Sequence, residues 1–343
     1  MKYTLLGRSG LRVSELCLGT MTFGEEGSSK SDNKKVFDQF VRAGGNFFDT
    51  ANVYTEGRSE SLLGEFARSA REQMVIATKY RLNTTASDPN ASGCGRKNLM
   101  QAVHASLRRL NTEYIDLLWV HAWDKLTPIE EMMRGLDDLV RQGKVLYVGA
   151  SNLPAWVVSE ANMLAKLKGL TPFVALQLEY SLIERTIERE YFDMASMCDL
   201  TICPWSPLAG GVLTGKYNKK TMRKARYSED GLWTARYVNE RNCRIAEVVV
   251  NMAQAIGKTP AQVALNWVRQ KYNRIIPIVG ATRVEQLNDN LGCFEFRLTD
   301  DEMRVLDQAS PLDRGFPYEF LAFPGMEKLL YGNSRVCTNR ISL

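Results

Sequence analysis

Four side chains stand where a short apolar run breaks off into polar chain. Phe47-Phe48 runs into Asp49 with Tyr54 five residues on, the stretch 74–78 delivers Lys79, and 115–120 delivers His121. A carboxylate, a phenol, an ammonium and an imidazole at the tips of successive strands can together give a proton to a carbonyl oxygen. A phenol titrating near about 10 is a poor acid at neutral pH, but a close ammonium favours the phenolate and makes the phenol a usable donor. Lys79 supplies that ammonium, and Asp49 the counter-charge that keeps it protonated in a dry pocket. His121 is the hydrogen-bond donor that aligns the carbonyl, its protonation state being open in the sequence. Taken singly, Asp49 also reads as a turn cap and Tyr54 as packing; their arrival in order at strand tips is what argues for a site.

Strands alternating with helices must position these groups. Residues 4–6 and 12–14, joined by Gly7-Arg8-Ser9-Gly10, read as a hairpin that plugs one end of the core. A strand over 16–18 ends at Gly19-Thr20-Met21, and a helix follows over 32–42 with Asp32 as its N-cap. The pattern repeats with strands at 46–48, 74–78, 115–120, 145–148, 174–178, 200–203 and 275–279. Helices read over 59–67, 97–110, 128–141, 154–167, 189–197, 240–256, 259–268, 284–291 and 299–309. Pro154 falls in the first turn of its helix, and Thr259 with Pro260 reads as an N-cap and first position. About eight strand–helix units require a parallel sheet with right-handed crossovers, and their number favours closure. The expected fold is therefore α/β, a (β/α)8 TIM barrel with an N-terminal hairpin, long loops at the C-terminal face and an extended C-terminal tail. Residues 1–310 read as that one domain and 311–343 as its tail. The stretch 206–238 is far longer than an ordinary loop and reads as a mobile functional cover.

Composition narrows the function. Hydrophobic content of 45% and charged content of 24% describe an ordinary globular chain of 343 residues. The net charge of +5 is not concentrated in a basic helix or arm, which argues against nucleic acid. No apolar run approaches a membrane span or a signal sequence, so the expectation is a cytoplasmic protein. Seven scattered cysteines without a Cys-x-x-Cys pair signal neither a zinc site nor a disulfide framework, and no metal is expected. The basic run from Lys219 to Arg226 reads equally as a solvated loop and as a partner for an anion.

At its candidate catalytic residues the chain resembles an aldo-keto reductase. Phe-Phe-Asp-Thr-Ala at 47–51, Tyr54 followed by Gly57, Ser59-Glu60 and Leu63-Gly64, Ala-Thr-Lys at 77–79 and Leu-Leu-Trp-Val-His at 117–121 are similar to that family's signature stretches. The resemblance spans residues 1 to about 310. It implies reversible NADPH-dependent reduction of an aldehyde or ketone, with Asp49, Tyr54, Lys79 and His121 as the catalytic set and Tyr54 as general acid. No Gly-x-Gly-x-x-Gly follows a strand, so the dinucleotide must bind otherwise than on a Rossmann turn. The resemblance implies that it lies across the barrel mouth, lined by Thr20, Met21 and Asp49. Ser151, Asn152 and Gln177 would then hold its carboxamide, while Trp205, which also reads as a packing residue, would stack on the nicotinamide. Ser206, Pro207 and Leu208 through Lys216 would cover the pyrophosphate, with Arg226 beside it. Gly280, Thr282, Arg283, Gln286 and Asn290 are similar to the segment that grips the adenosine 2'-phosphate. Gly280 and Gln286 stand at positions often basic in the family, so Arg283 is the remaining cation; NADPH is the expectation, with NADH open.

Two other readings compete. Gly210 to Lys216 approaches a phosphate-binding loop, but Tyr217 replaces the hydroxyl residue that would meet magnesium. Channel-associated β subunits share the family's barrel and cofactor while acting as regulatory partners, and turnover separates the two. Phe23, Tyr54, Tyr80, Trp123 and Trp233 read as an aromatic substrate wall with the tail as its cover. The particular substrate and the oligomeric state are not written in the residues.

Overall fold

Short apolar strands, each followed by a helix that carries the chain back, pair in parallel here as the alternation requires. The protein is described by a computed structural model over residues 1–217 and 232–334. A hairpin of β1 (Tyr3–Leu5) and β2 (Arg12–Ser14) precedes the barrel strands β3 (Cys17–Gly19), β4 (Phe47–Asp49), β5 (Val75–Tyr80), β6 (Ile115–Val120), β7 (Val145–Ser151), β8 (Phe173–Glu179), β9 (Thr201–Trp205) and β10 (Ile278–Val279). They pair in the order β10-β3-β4-β5-β6-β7-β8-β9. The ring closes where Ile275 bridges Ile202 and Ile276 N donates to Ile202 O at 2.9 Å. It is a TIM barrel with an N-terminal hairpin.

Between the strands run α1 (Lys30–Arg42), α2 (Arg58–Ala67), α3 (Arg96–Leu110), α4 (Ile129–Arg141), α5 (Ala155–Lys168), α6 (Tyr191–Met197), α7 (Leu232–Tyr237), α8 (Glu240–Ile256) and α9 (Pro260–Lys271). After β10 come α10 (Val284–Leu291) and α11 (Asp300–Ala309), then the short α12 (Tyr318–Leu321) and α13 (Met326–Tyr331). No described helix is long and apolar enough to cross a membrane.

The strand period of two sorts side chains between two cores. Phe47, Val75, Ala77, Leu117, Trp119, Ala175 and Cys203 point into the barrel and pack on Leu6 and Val13 of the hairpin region, which plugs the lower end. Phe48, Ile76, Tyr80, Leu118, Leu176 and Ile202 point outward against the helices. The inward set continues upward to Asp49, Lys79, Ser151, Gln177 and Trp205, so one parity places the lower core and the upper polar groups alike.

Several boundaries differ from expectation. Ser29, not Asp32, caps α1: its backbone is extended and its hydroxyl accepts from Asp32 N at 3.0 Å. Pro154 stands at the N-cap of α5 and not within its first turn. Lys79 is the penultimate residue of β5, and β7 runs on to Ser151, because neighbouring strands offer pairing partners that far. A one-turn 3-10 helix at Thr186–Glu188 delays α6 to Tyr191, and the last strand is only Ile278–Val279. Thr259 and Gln262 form the capping box at the start of α9. The stretch 206–238 carries a 3-10 turn at Ala209–Thr214 and α7, with 218–231 outside the described residues.

Candidate active site

Asp49, Tyr54, Lys79 and His121 come together at the C-terminal mouth of the barrel. Lys79 is fully buried, and its three ammonium donors reach Asp49 Oδ2 at 2.5 Å, Thr50 O at 2.7 Å and Tyr54 Oη at 3.1 Å. Burial works against its charge, but Asp49 and Tyr54 outweigh that penalty and hold its pKa above the ordinary value. The group is thus an ammonium with no spare proton, aimed at a phenol. The other oxygen of Asp49 accepts from Gln177 Nε2 at 2.8 Å, so the acid is pinned from both sides.

Tyr54 owes its position to an uncommon backbone. Thr55, Glu56 and Gly57 are successive left-handed residues, at φ of 45, 58 and 87°. Two of them are not glycine, a costly arrangement that surrounding contacts must hold. Thr55 Oγ1 accepts from Ser59 N at 3.0 Å and lies 2.9 Å from Phe23 O. Ser59 Oγ donates to Thr20 O at 2.7 Å and meets Thr20 Oγ1 and Thr50 Oγ1, each at 2.9 Å. Below them Arg109 Nε pairs with the fully buried Glu60 at 2.6 Å, and Thr78 Oγ1 donates to the same carboxylate at 2.6 Å. Thr20 therefore spends its hydroxyl inside this network.

His121 follows β6 with its ring edge-on to Tyr54, centroids 6.1 Å apart. Burial, then the charges of Lys79 and Arg81, lower its pKa to about 3, so at neutral pH the imidazole is uncharged and carries one N–H. Its Nδ1 is buried and meets no hydrogen-bond partner among the described residues.

Beside this cluster lies a set of polar groups suited to a primary amide. Asn152, at φ 55°, donates through Nδ2 to His121 O and Ser151 Oγ, both at 3.0 Å, and accepts at Oδ1 from Trp205 Nε1 at 3.0 Å. The Ser151 hydroxyl keeps its proton, Asn152 Oδ1 keeps a lone pair, and Gln177 keeps Oε1 because its nitrogen faces Asp49. One donor and two acceptors match the carbonyl and the amino group of a nicotinamide carboxamide, and the residues present fit that group. Trp205 belongs to neither hydrophobic cluster and stands half-buried at the mouth.

The remaining candidates ring the same face. Ser206 (φ 52°) and Ala209 (φ 49°) bracket Pro207 and Leu208, and the Lys216 ammonium sits 5.1 Å over the Tyr217 ring. Met21 is exposed at the end of β3. Gly280 and Thr282 lead to Arg283, the exposed N-cap of α10. Gln286 turns its carbonyl oxygen back to Thr282 N and Oγ1, at 2.9 and 3.1 Å, while Asn290 is buried. Arg226, the basic run at 219–226 and the Trp233 side chain lie outside the described residues.

Two expected pocket walls are not walls. Phe23 is fully buried edge-on to Phe66, and Tyr80 is buried in the layer between strands and helices. Tyr80 follows inward-facing Lys79, so its side chain must face outward. Trp123 does stand at the mouth, edge-on to Trp156 at 5.6 Å. Sequence reading missed Thr55, whose strain leaves no compositional mark, and Arg81, whose only signal is its place two residues beyond Lys79. Two clefts of about 300 and 340 Å³ lie at the opposite end around the hairpin, away from the face where barrel chemistry is built.

A family model described as the Aldo/keto reductase family matches residues 15–311. The chain is 38% identical over 331 residues to the NADP(+) aryl-alcohol dehydrogenase of Phanerodontia chrysosporium, covering 90% of this chain and 86% of that protein. It is 37% identical over 333 residues to norsolorinic acid reductase of Aspergillus flavus, covering 92% and 83%.

Proposed function

This chain belongs to the aldo/keto reductase family, and on that footing we propose that it reduces an aldehyde or ketone to the alcohol, with NADPH as hydride donor and Tyr54 as general acid. Membership makes it a nicotinamide-dependent oxidoreductase of carbonyl substrates. The observation that carries the finer reading is the Lys79 ammonium, held between Asp49 and the Tyr54 hydroxyl.

The bound cofactor supplies a hydride to the carbonyl carbon. Tyr54 Oη gives its proton to the carbonyl oxygen, and the phenolate left behind faces the Lys79 ammonium until solvent returns a proton. Asp49 keeps that ammonium charged, and Gln177 fixes the carboxylate. Neutral His121 donates its N–H to the carbonyl oxygen without competing for the proton. Ser151, Asn152 and Gln177 would hold the carboxamide, and Trp205, tethered at Nε1, would stack on the nicotinamide. Lys216 would face the pyrophosphate that both cofactors carry, whereas Arg283 at the 2'-phosphate would favour NADPH over NADH, since a guanidinium can pair with a phosphate through two hydrogen bonds. The Trp123–Trp156 pair at the mouth supports an aromatic substrate, in keeping with the aryl-alcohol relative.

The test is NADPH consumption with a panel of neutral aromatic aldehydes and ketones. Formation of one alcohol for each NADPH consumed is expected; tight NADPH binding with no carbonyl in the panel reduced would contradict the reading.

A further inference from the structure

The carbonyl-reductase reading leaves one charge at the mouth unused. Arg81 follows β5 at φ 103°, a conformation that a bulky residue rarely adopts. Its carbonyl accepts from Gly93 N at 2.9 Å and its Nη2 donates to Trp123 O at 2.8 Å, which fixes the guanidinium beside the aromatic wall. Its Nε is buried and makes no hydrogen bond, the Cys94 thiol and the Asp124 carboxylate lie beside the guanidinium, and among the described residues no hydrogen bond engages Nη1. The neighbouring carboxylate, Asp124, is spent on Cys94 N at 2.7 Å, Thr127 Oγ1 at 2.6 Å and Leu126 N at 3.0 Å. Arg81 is also close enough to His121 to help keep that imidazole neutral. Asp49 and Lys79 cancel, His121 is uncharged and Asp124 offsets Arg81 in charge, though its oxygens leave Nη1 of the guanidinium open. Lys125, 5.1 Å over the outer Trp123 ring, leaves these groups with a net positive charge.

We propose that Arg81 is a specificity residue that binds an anionic group of the substrate, so that the preferred substrates are aromatic carbonyl compounds bearing a carboxylate. The proposal rests on the carbonyl-reductase reading. The carboxylate takes the open side of the guanidinium, its ring lies along Trp123, and its carbonyl reaches Tyr54 and His121. The alternative is that Arg81 serves only to buttress Trp123.

The experiment compares kcat/KM, with NADPH and the full chain, for meta and para formylbenzoate against their methyl esters. An ester withdraws electrons more strongly than a carboxylate, so intrinsic reactivity favours the esters. The proposal expects the acids to be preferred by about tenfold or more, the gain of a charge-assisted hydrogen bond, with the preference shrinking as salt is raised. Arg81→Met should abolish that preference and Arg81→Lys should keep part of it. Esters equal or better in the parent protein, or a preference that survives in Arg81→Met, would overturn it. Should the variant fail to fold, the parent ratio and its salt dependence still decide. Reduction of neither acids nor esters would strike the underlying reading and this one with it, whereas good turnover of esters alone removes only the role of Arg81.

Discussion

At the scale of single residues, the buried charges of the site are balanced by close partners. His121 escapes charge because burial and two nearby cations depress its pKa to about 3. Between that value and the ordinary 6.5 the unfolded chain binds a proton that the folded chain refuses. Stability therefore rises with pH across this window and is lost as pH falls through it. Urea midpoints followed over that range should fall less steeply in His121→Gln than in the parent, whereas parallel slopes would mean the imidazole is protonated in the fold. Arg283 carries the second residue-scale prediction. With Gln286 engaged by Thr282, it is the cation at the start of α10 that we propose to hold a 2'-phosphate. Arg283→Ala should raise the NADPH dissociation constant about tenfold to a hundredfold, as loss of a charge-assisted pair does, and leave NADH nearly unchanged. Equal losses in fluorescence titrations with both cofactors would place the phosphate elsewhere.

At the scale of elements, the turn between β4 and α2 decides where the phenol stands. Gly57 lies at φ 87°, and a methyl group there would come 2.7 Å from Arg109 Cδ, whose guanidinium holds buried Glu60. Gly57→Ala should lower unfolding stability by about 1–3 kcal/mol, the cost of a strained position, and should cut kcat more than it raises KM because Tyr54 moves with the turn. A variant as stable and as active as the parent would show that the left-handed run does not position the phenol. This turn also marks where the sequence stopped being legible. Tyr54 was visible as a phenol after a strand, but the left-handed pair Thr55-Glu56 has no glycine signature and is imposed by contacts with Phe23 and Ser59, distant in sequence or closed only by folding. The facing of Tyr80 was, by contrast, already written in the strand period: once Lys79 points inward, its neighbour points out. Ser29 escaped notice because Asp32, a good cap by type, stands at the third position of the helix, where its amide is the one being capped.

For the whole molecule, the alternation of strand and helix sufficed to give the closed barrel, since eight parallel units leave few alternatives. The seam was less legible: β10 is two residues long, and closure depends on Ile275 and Ile276 meeting Ile202, contacts that no local pattern announces. The tail after Pro311 was expected to meander; its described residues, up to 334, form two short helices that leave Phe320, Phe323 and Leu329 largely exposed. Closure brings the tips of β4, β5 and β6 side by side around one mouth, so that an acid, an ammonium, a phenol and an imidazole far apart in the chain meet there, where we propose that they act on one carbonyl. The claim that they do so by proton donation from Tyr54 is tested most directly by Tyr54→Phe, which removes one hydroxyl and keeps the ring. NADPH should bind the variant as it binds the parent, while aldehyde reduction should fall by about a hundredfold to ten-thousandfold, the range for a lost general acid. A Tyr54→Phe protein that binds NADPH normally and reduces aldehydes at close to the parent rate would contradict the account.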